Sequence, residues 1–338
     1  MPMTSTATRP SARQAAPTVR RSPWGNLRRF VRTPKGTLLW VLLALAAVAM
    51  AHTTRNTPPV VGAAVLGAAG IDLIATRVRQ GRFLFPSGAI LTGLIVAMVL
   101  ARQTPAYAVL LTAALAAAGK HALRTRWSNI FNPAVLGLLI GNLLFRSGES
   151  WWGALPYYGL LGFALVLAAA WYIAAKVNKL PLALTYLGVS LVVFTAASFS
   201  GAAAQVAQVF RAPDINALLF FACIMLTDPP TSPARHQDQC WFGALAALVG
   251  SSIFLKFGVQ WFIIGGLPAA NLAESLRRLA VRPPNGARPA TALKAAPPSP
   301  VGRAGVPGQR GPAAAAMART ASGSARTPTG KSARARRA

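Results

Sequence analysis

Ten apolar segments separated by short polar connections organise the chain: 37–51, 58–76, 88–101, 104–119, 131–145, 151–175, 181–199, 215–227, 241–256 and 258–276. This pattern predicts an all-α polytopic membrane protein. Two segments, 88–101 and 215–227, are too short to cross a bilayer, with about 20 Å of helix against a hydrocarbon core of ~30 Å. The second is an apolar stretch from Ile215 to Leu226 that runs into Thr227, Asp228, Pro229, Pro230, Thr231, Ser232 and Pro233. Prolines remove amide donors and push the residue before them out of the helical region. A half-length helix closing in oxygen-rich turn residues points to a site inside a membrane protein.

The basic residues set an orientation. With a cytoplasmic N-terminus, the inside connections hold nine (Arg77, Arg79, Arg82, Lys120, Arg124, Arg126, Lys176, Lys179, Arg235) and the outside ones five (Arg55, Arg102, Arg146, Arg211, Lys256). That asymmetry favours ten spans with both termini cytoplasmic. The first segment ends Ala49-Met50-Ala51, which also suits a signal peptide, but the long basic leader and the orientation favour a retained helix.

Ten spans divide into two halves of five, and an odd number per half requires the repeats to be inverted. Laying 88–105 over 216–233 pairs Ala89 with Ala217, Leu91 with Leu219, Thr104 with Ser232 and Pro105 with Pro233. Both short segments are third in their half, and matching short segments in inverted repeats mark a midplane site.

Composition agrees with the pattern. The chain is 54% hydrophobic and 12% charged, with 35 basic and 6 acidic residues among 338. Eight of the basic residues precede Thr37 and thirteen follow Asn271. The excess charge therefore belongs mostly to the ends, and with few aromatics beside it, nucleic acid is not an expected partner. Residues 1–36 and 281–338 lack apolar periodicity and are expected to be disordered basic tails around a membrane domain at 37–280, with repeats at about 37–145 and 151–280. Cys223 and Cys240 form no CxxC pair, and no two histidines share a ligand spacing, so no metal site is expected.

Thr227, Asp228 and Thr231 are the leading candidates for holding a cation or a cofactor; the alternative is a turn that caps a short helix. Thr92 and Gly93 belong to the paired short segment, where Gly93 also suits close helix packing. Asn132, ahead of Pro133, reads as a helix cap or as a polar wall. Asp72 lies inside the second segment, and intramembrane acids are by default functional. Asp72 and Asp228 are accordingly the ion-path candidates, although Arg77 or Arg79 could neutralise Asp72. Glu274 with Arg277 and Arg278 reads as helix-surface pairing. Trp151, Trp152, Tyr157 and Tyr158 read as an interfacial belt. No catalytic acid–base pair, nucleophile motif or phosphate-binding glycine loop is present.

Several stretches together resemble the RnfD and NqrB family of membrane subunits. FFACIMLTDPPTSP resembles the family's apolar run ending TDPxT(S/A)S, and SGAILTGLIVAMVL its SALLTGLLLA segment. GIDLIATRVR, GKHALRTRWSNIFNPAVLG, FGALAALVG and FIIGGLPAANLAESL resemble further family segments, and the motifs together keep the family's order along the chain, so the likeness covers roughly 37–283. It implies a ten-helix fold of two inverted five-helix repeats, similar to urea and ammonium channels. It also implies a place in the bacterial plasma membrane beside other redox subunits, Na⁺ or H⁺ translocation, and a flavin. The family's long flavin-bearing segment carries an S/T-x-A-T threonine, but here FRSGESW (145–151) makes that connection without one. Covalent FMN is therefore not expected, and the cofactor implied is a non-covalent flavin, FMN or riboflavin. The chain would be at most a subunit of an oxidoreductase complex. The alternative is a stand-alone channel or transporter for a small solute or flavin.

Overall fold

A computed structural model describes residues 30–51, 57–125, 128–258 and 261–280. These lie in the compact unit 1–282. Of the expected tails, 1–29 and 281–338 fall outside the described residues, while 34–36, expected to be disordered, belong to the first helix.

Every apolar segment forms a helix, as its length and composition demand. In order these are α1 Pro34–Ala51, α2 Thr57–Gln80, α3 Ser87–Val99, α4 Ala106–Ala122, α5 Pro133–Phe145, α6 Gly159–Lys176, α7 Leu180–Ala197, α8 Ala203–Val209, α9 Asp214–Phe220, α10 His236–Phe257 and α11 Phe262–Ala280. No strand forms among the described residues. Five runs are long and apolar enough to cross a membrane: Pro34–Ala51, Thr57–Gln80, Trp152–Lys176, Leu180–Val209 and His236–Phe257. The chain is thus a multi-pass helical membrane protein. α1 begins three residues ahead of Thr37 and buries Leu42, Leu45, Ala46 and Ala49, packing against α3 and α6.

α8 is the one helix the apolar pattern did not signal. A kink at Ser200 and Gly201 separates it from α7, with Gly201 at φ +97°, where a Cβ would be strained.

Packing is matched between the two parts of the bundle. α2 packs on α4 and α4 on α5; α7 packs on α10 and α10 on α11. Small residues allow the close approach. A Cβ on Gly137 of α5 would meet the Thr112 carbonyl of α4 at 2.8 Å, and one on Gly266 of α11 would meet the Ala246 carbonyl of α10 at 2.0 Å. In lipid, where apolar burial drives helix association little, such backbone contacts carry much of the packing.

The tryptophans do not form an interfacial belt. Trp151 and Trp152 are 3% and 2% exposed. Trp152 Nε1 donates to the Ala97 carbonyl at 2.7 Å, near the end of α3, and Trp151 packs edge-on against Phe220 at 6.2 Å. The short connection from α5 folds back over the end of α3, carrying both rings inward. Tyr157 stays exposed, with the Arg102 guanidinium 4.4 Å from its ring centre, and the Tyr158 hydroxyl bonds the Val48 carbonyl.

The α10–α11 contact gives a direct check. Gly266→Ala should lower stability by about 1–3 kcal/mol through the backbone clash. Gly62→Ala in α2, where a Cβ meets nothing within 4 Å, should leave it unchanged or slightly higher. Thermal unfolding of the two variants in detergent compares them; equal midpoints would refute the close-packing assignment.

Candidate functional site

The two short helices run in opposite chain directions along one another's span. The first half of α3 and the end of the second short helix face one cavity, while the end of α3 and the start of α9 meet the turn at 152–154. α3 has 13 residues. Its partner has seven α-helical residues in α9 and then five in a π turn, Phe221–Met225, closed by Leu226 N donating to the Phe221 carbonyl at 2.9 Å. π turns of this kind often occur at functional sites.

The cavity is about 390 Å³ in volume. Thr92 of α3, Asn132 ahead of α5, and Thr227 and Asp228 after the π turn line it together. Leu38, Leu91, Ile95, Ile173 and Ile224 supply apolar wall, and Lys35 and Lys120 also face it. Four sequence-predicted positions thus converge, separated by up to 136 residues of chain (228 − 92).

Local bonding holds each one. The Thr92 hydroxyl donates to the Gly88 carbonyl at 3.0 Å and the Thr227 hydroxyl to the Cys223 carbonyl at 2.6 Å, each one turn back in its helix. Asn132 Oδ1 accepts from the amides of Ala134 and Val135 at 3.0 and 3.2 Å, capping α5, with Pro133 at the first position. Its Nδ2 donates to the Met225 carbonyl at 3.0 Å, and its backbone amide donates to Asn271 Oδ1 at 2.9 Å. Asn132 is therefore both cap and wall, and it joins α5, α11 and the π turn.

Thr231 does not line the cavity; its hydroxyl donates to Asp228 Oδ2 at 3.2 Å and orients that carboxylate. Ser232 Oγ donates to the Asp228 carbonyl at 2.8 Å. Lys35, Lys120 and Lys179 are the cations whose charge Asp228 feels. Gly93 sits on the far side of α3, where a Cβ would meet the Ala64 carbonyl at 2.7 Å, so it serves helix packing.

Asp72 is buried, and Arg77 and Arg79 are not its partners. Lys120 Nζ and His121 Nε2, from the last turn of α4, each lie 2.8 Å from Asp72 Oδ1. The neutralising charge comes from the neighbouring helix, which sequence spacing along α2 could not show. Lys120 thereby links Asp72 to the cavity.

The Glu274 group is not a surface pair either. Glu274 is 1% exposed and holds Arg277 at 2.8 Å and Arg278 at 2.6 Å. Arg277 also meets Asp238 of α10 at 3.0 Å. Arg278 donates to the carbonyls of Pro230 and Ser232 at 3.3 and 3.0 Å and to Ser128 Oγ at 3.0 Å, clamping the turn after Asp228. Lys179 adds a bond from Nζ to the Pro233 carbonyl. Burial, reinforced by the Arg278 charge, holds this ammonium down to about 8. Only the polar run at 227–233 hinted that the turn needed such partners; Lys35, Lys179 and the π turn gave no signal in the sequence.

A family model described as NQR2, RnfD, RnfE family matches residues 18–155. The family segment supplies Lys35, Thr92, Lys120 and Asn132 to the cavity, whereas Thr227 and Asp228 come from beyond it. No curated protein sequence matches the chain.

The dual role of Asn132 is testable. Asn132→Ala removes the cap and the Met225 bond together and should cost about 2–3 kcal/mol. Asn132→Ser keeps the cap and should recover about half of that loss. Thermal unfolding in detergent reads both, and equal losses would mean that the cap contributes nothing.

Proposed function

We propose that this protein is an integral membrane component of an electron-transport or ion-translocating system of the NQR2 and RnfD type, with a flavin held non-covalently in the cavity. The observation that carries the reading is the convergence of Thr92, Asn132, Thr227 and Asp228 on one apolar-walled cavity of about 390 Å³. That volume falls within the range of small-molecule sites, which combine apolar lining with a few placed polar groups. FMN and riboflavin both offer a flat apolar ring edged with polar atoms, which suits such a lining. No threonine is available for a phosphoester in the 145–151 connection, so the attachment is non-covalent.

On this reading the ten apolar helices form two inverted five-helix repeats, about 37–145 and 151–280, in the bacterial inner membrane with both termini cytoplasmic. The matched packing of α2–α4–α5 and α7–α10–α11 supports the repeats, and so does the opposed direction of the two short helices. Asp72, paired with Lys120, and Asp228, which lines the same cavity as Lys120, are the candidates for a path for Na⁺ or H⁺.

A second reading has its own support. The family match stops at residue 155 and the flavin-bearing segment is replaced by FRSGESW, so the cavity could instead serve a stand-alone transporter of a small solute or flavin.

Purified full-length protein should carry flavin absorbance or quench the fluorescence of added riboflavin or FMN, and Asp228→Ala with Thr92→Val should weaken binding about tenfold or more. A colourless preparation that quenches neither compound would remove the flavin. For the second reading, protein-dependent riboflavin uptake into liposomes should fall in Asp228→Ala; bound flavin without any uptake favours the redox component.

A further inference from the structure

The end of α2 and the connection into α3 place unbalanced charge on an apolar surface. Ile74 and Val78, one turn apart on α2, are 62% and 79% exposed, and Phe83 and Phe85 beyond it are 71% and 72% exposed. α2 is one of the runs long and apolar enough to cross a membrane, so this outward face is turned to lipid. Arg77, Arg79 and Arg82 are exposed beside it. Arg77 and Arg79 flank Val78 at about 100° to either side.

The helix ends at Gln80, and Gly81, at φ +67°, turns the chain. The Arg77 guanidinium reaches past that end. Its Nη1 donates to the Gly81 carbonyl at 3.2 Å, and the group lies 5.8 Å from the centre of the Phe83 ring. A basic side chain that stretches from an apolar face to a helix end suits a membrane surface, with its stem in lipid and its charge in water.

The chain has nothing with which to balance these arginines. Its six acidic side chains are Asp72, Glu149, Asp214, Asp228, Asp238 and Glu274. Asp72 holds Lys120 and His121, Asp238 holds Arg277, and Glu274 holds Arg277 and Arg278. Asp228 faces the cavity. Glu149, opposite Leu100, and Asp214, at the start of α9, lie at the far end of the short helices, about 20 Å of helix away. Residues 1–29 and 281–338 contain no Asp or Glu. The charge that neutralises Arg77, Arg79 and Arg82 therefore comes from another molecule.

We propose that this surface binds anionic lipid headgroups, with the three guanidinium groups on the phosphate and Phe83 and Phe85 in the acyl boundary. Guanidinium forks match phosphate oxygens, and basic residues beside a membrane span attract anionic lipid. The apolar part of the patch continues the outward stripe of α2, which fits a lipid and not an acidic protein surface. Five residues beyond Arg82 the chain enters α3, whose Gly88 lines the cavity. α3 starts without a side-chain cap, so a lipid held here steadies the start of that short helix. The surface is independent of what the cavity binds.

The test is thermal unfolding of full-length protein in neutral detergent, titrated with phosphatidylglycerol, phosphatidylcholine or inorganic phosphate. Phosphatidylglycerol should raise the midpoint and the other two should not, and added salt should shrink the rise. Each arginine should change the lipid concentration needed by about fivefold, so Arg77→Gln/Arg79→Gln/Arg82→Gln should need about a hundredfold more. Arg79→Gln/Arg82→Gln keeps the Arg77 bond to Gly81 and should need about 25-fold more. Arg146→Gln/Arg211→Gln/Lys256→Gln removes the same charge from other exposed positions and should titrate like wild type. Equal midpoints with both lipids would overturn the proposal. So would a folded triple arginine variant that titrates like wild type, or an equal loss in the control. A rise matched by inorganic phosphate would assign the arginines to a free anion, and no rise at all would leave them to an acidic protein partner. Either result overturns the lipid assignment.

Discussion

A helix that ends inside an apolar bundle leaves its last carbonyls with no water to bond, and much of this architecture follows from that constraint. The second short helix stops at Met225, and its terminal carbonyls are taken one by one. The Cys223 carbonyl accepts the Thr227 hydroxyl, the Met225 carbonyl accepts Asn132 Nδ2, and the Phe221 carbonyl accepts the amide of Leu226 through the π turn. Each partner adds polarity at the same place. The cavity's chemistry is therefore the by-product of satisfying a truncated helix.

The turn beyond it carries a second layer of constraint. Arg278 and Lys179 bond the carbonyls of Pro230, Ser232 and Pro233, which prolines and a tight bend expose. Two cations at a buried turn need a counter-charge, and Glu274 supplies it from α11. An uncompensated member of such a group would be costly, so the residues act as one unit. The same logic operates at Asp72, where Lys120 and His121 meet a buried carboxylate from the adjacent helix.

The first short helix solves the problem differently. Its end is covered by backbone pairing with the α5–α6 connection and by Trp152 bonding the Ala97 carbonyl. One short helix thus ends in side-chain oxygens beside an open cavity and the other under aromatic cover. The two short helices are chemically unequal, which gives the two ends of the bundle different character.

The helices, and the two places where they fall short, are legible in the sequence, because apolar run length against bilayer thickness needs no tertiary information. The oxygen-rich turn at 227–233 and the helix start at Asn132-Pro133 are equally legible, since proline and cap chemistry act over a few residues. Which side chains meet depends on the packed fold. Thr92, Asn132, Thr227 and Asp228 share a cavity, Gly93 does not, and Asp72 takes its charges from α4. Trp151 and Trp152 turned inward because the connection pairs with α3, and Glu274 became buried because α11 packs beside the turn it clamps. Helix formation is encoded by neighbours in sequence, whereas these contacts depend on crossing angle and rotation about each helix axis, which composition and spacing leave open.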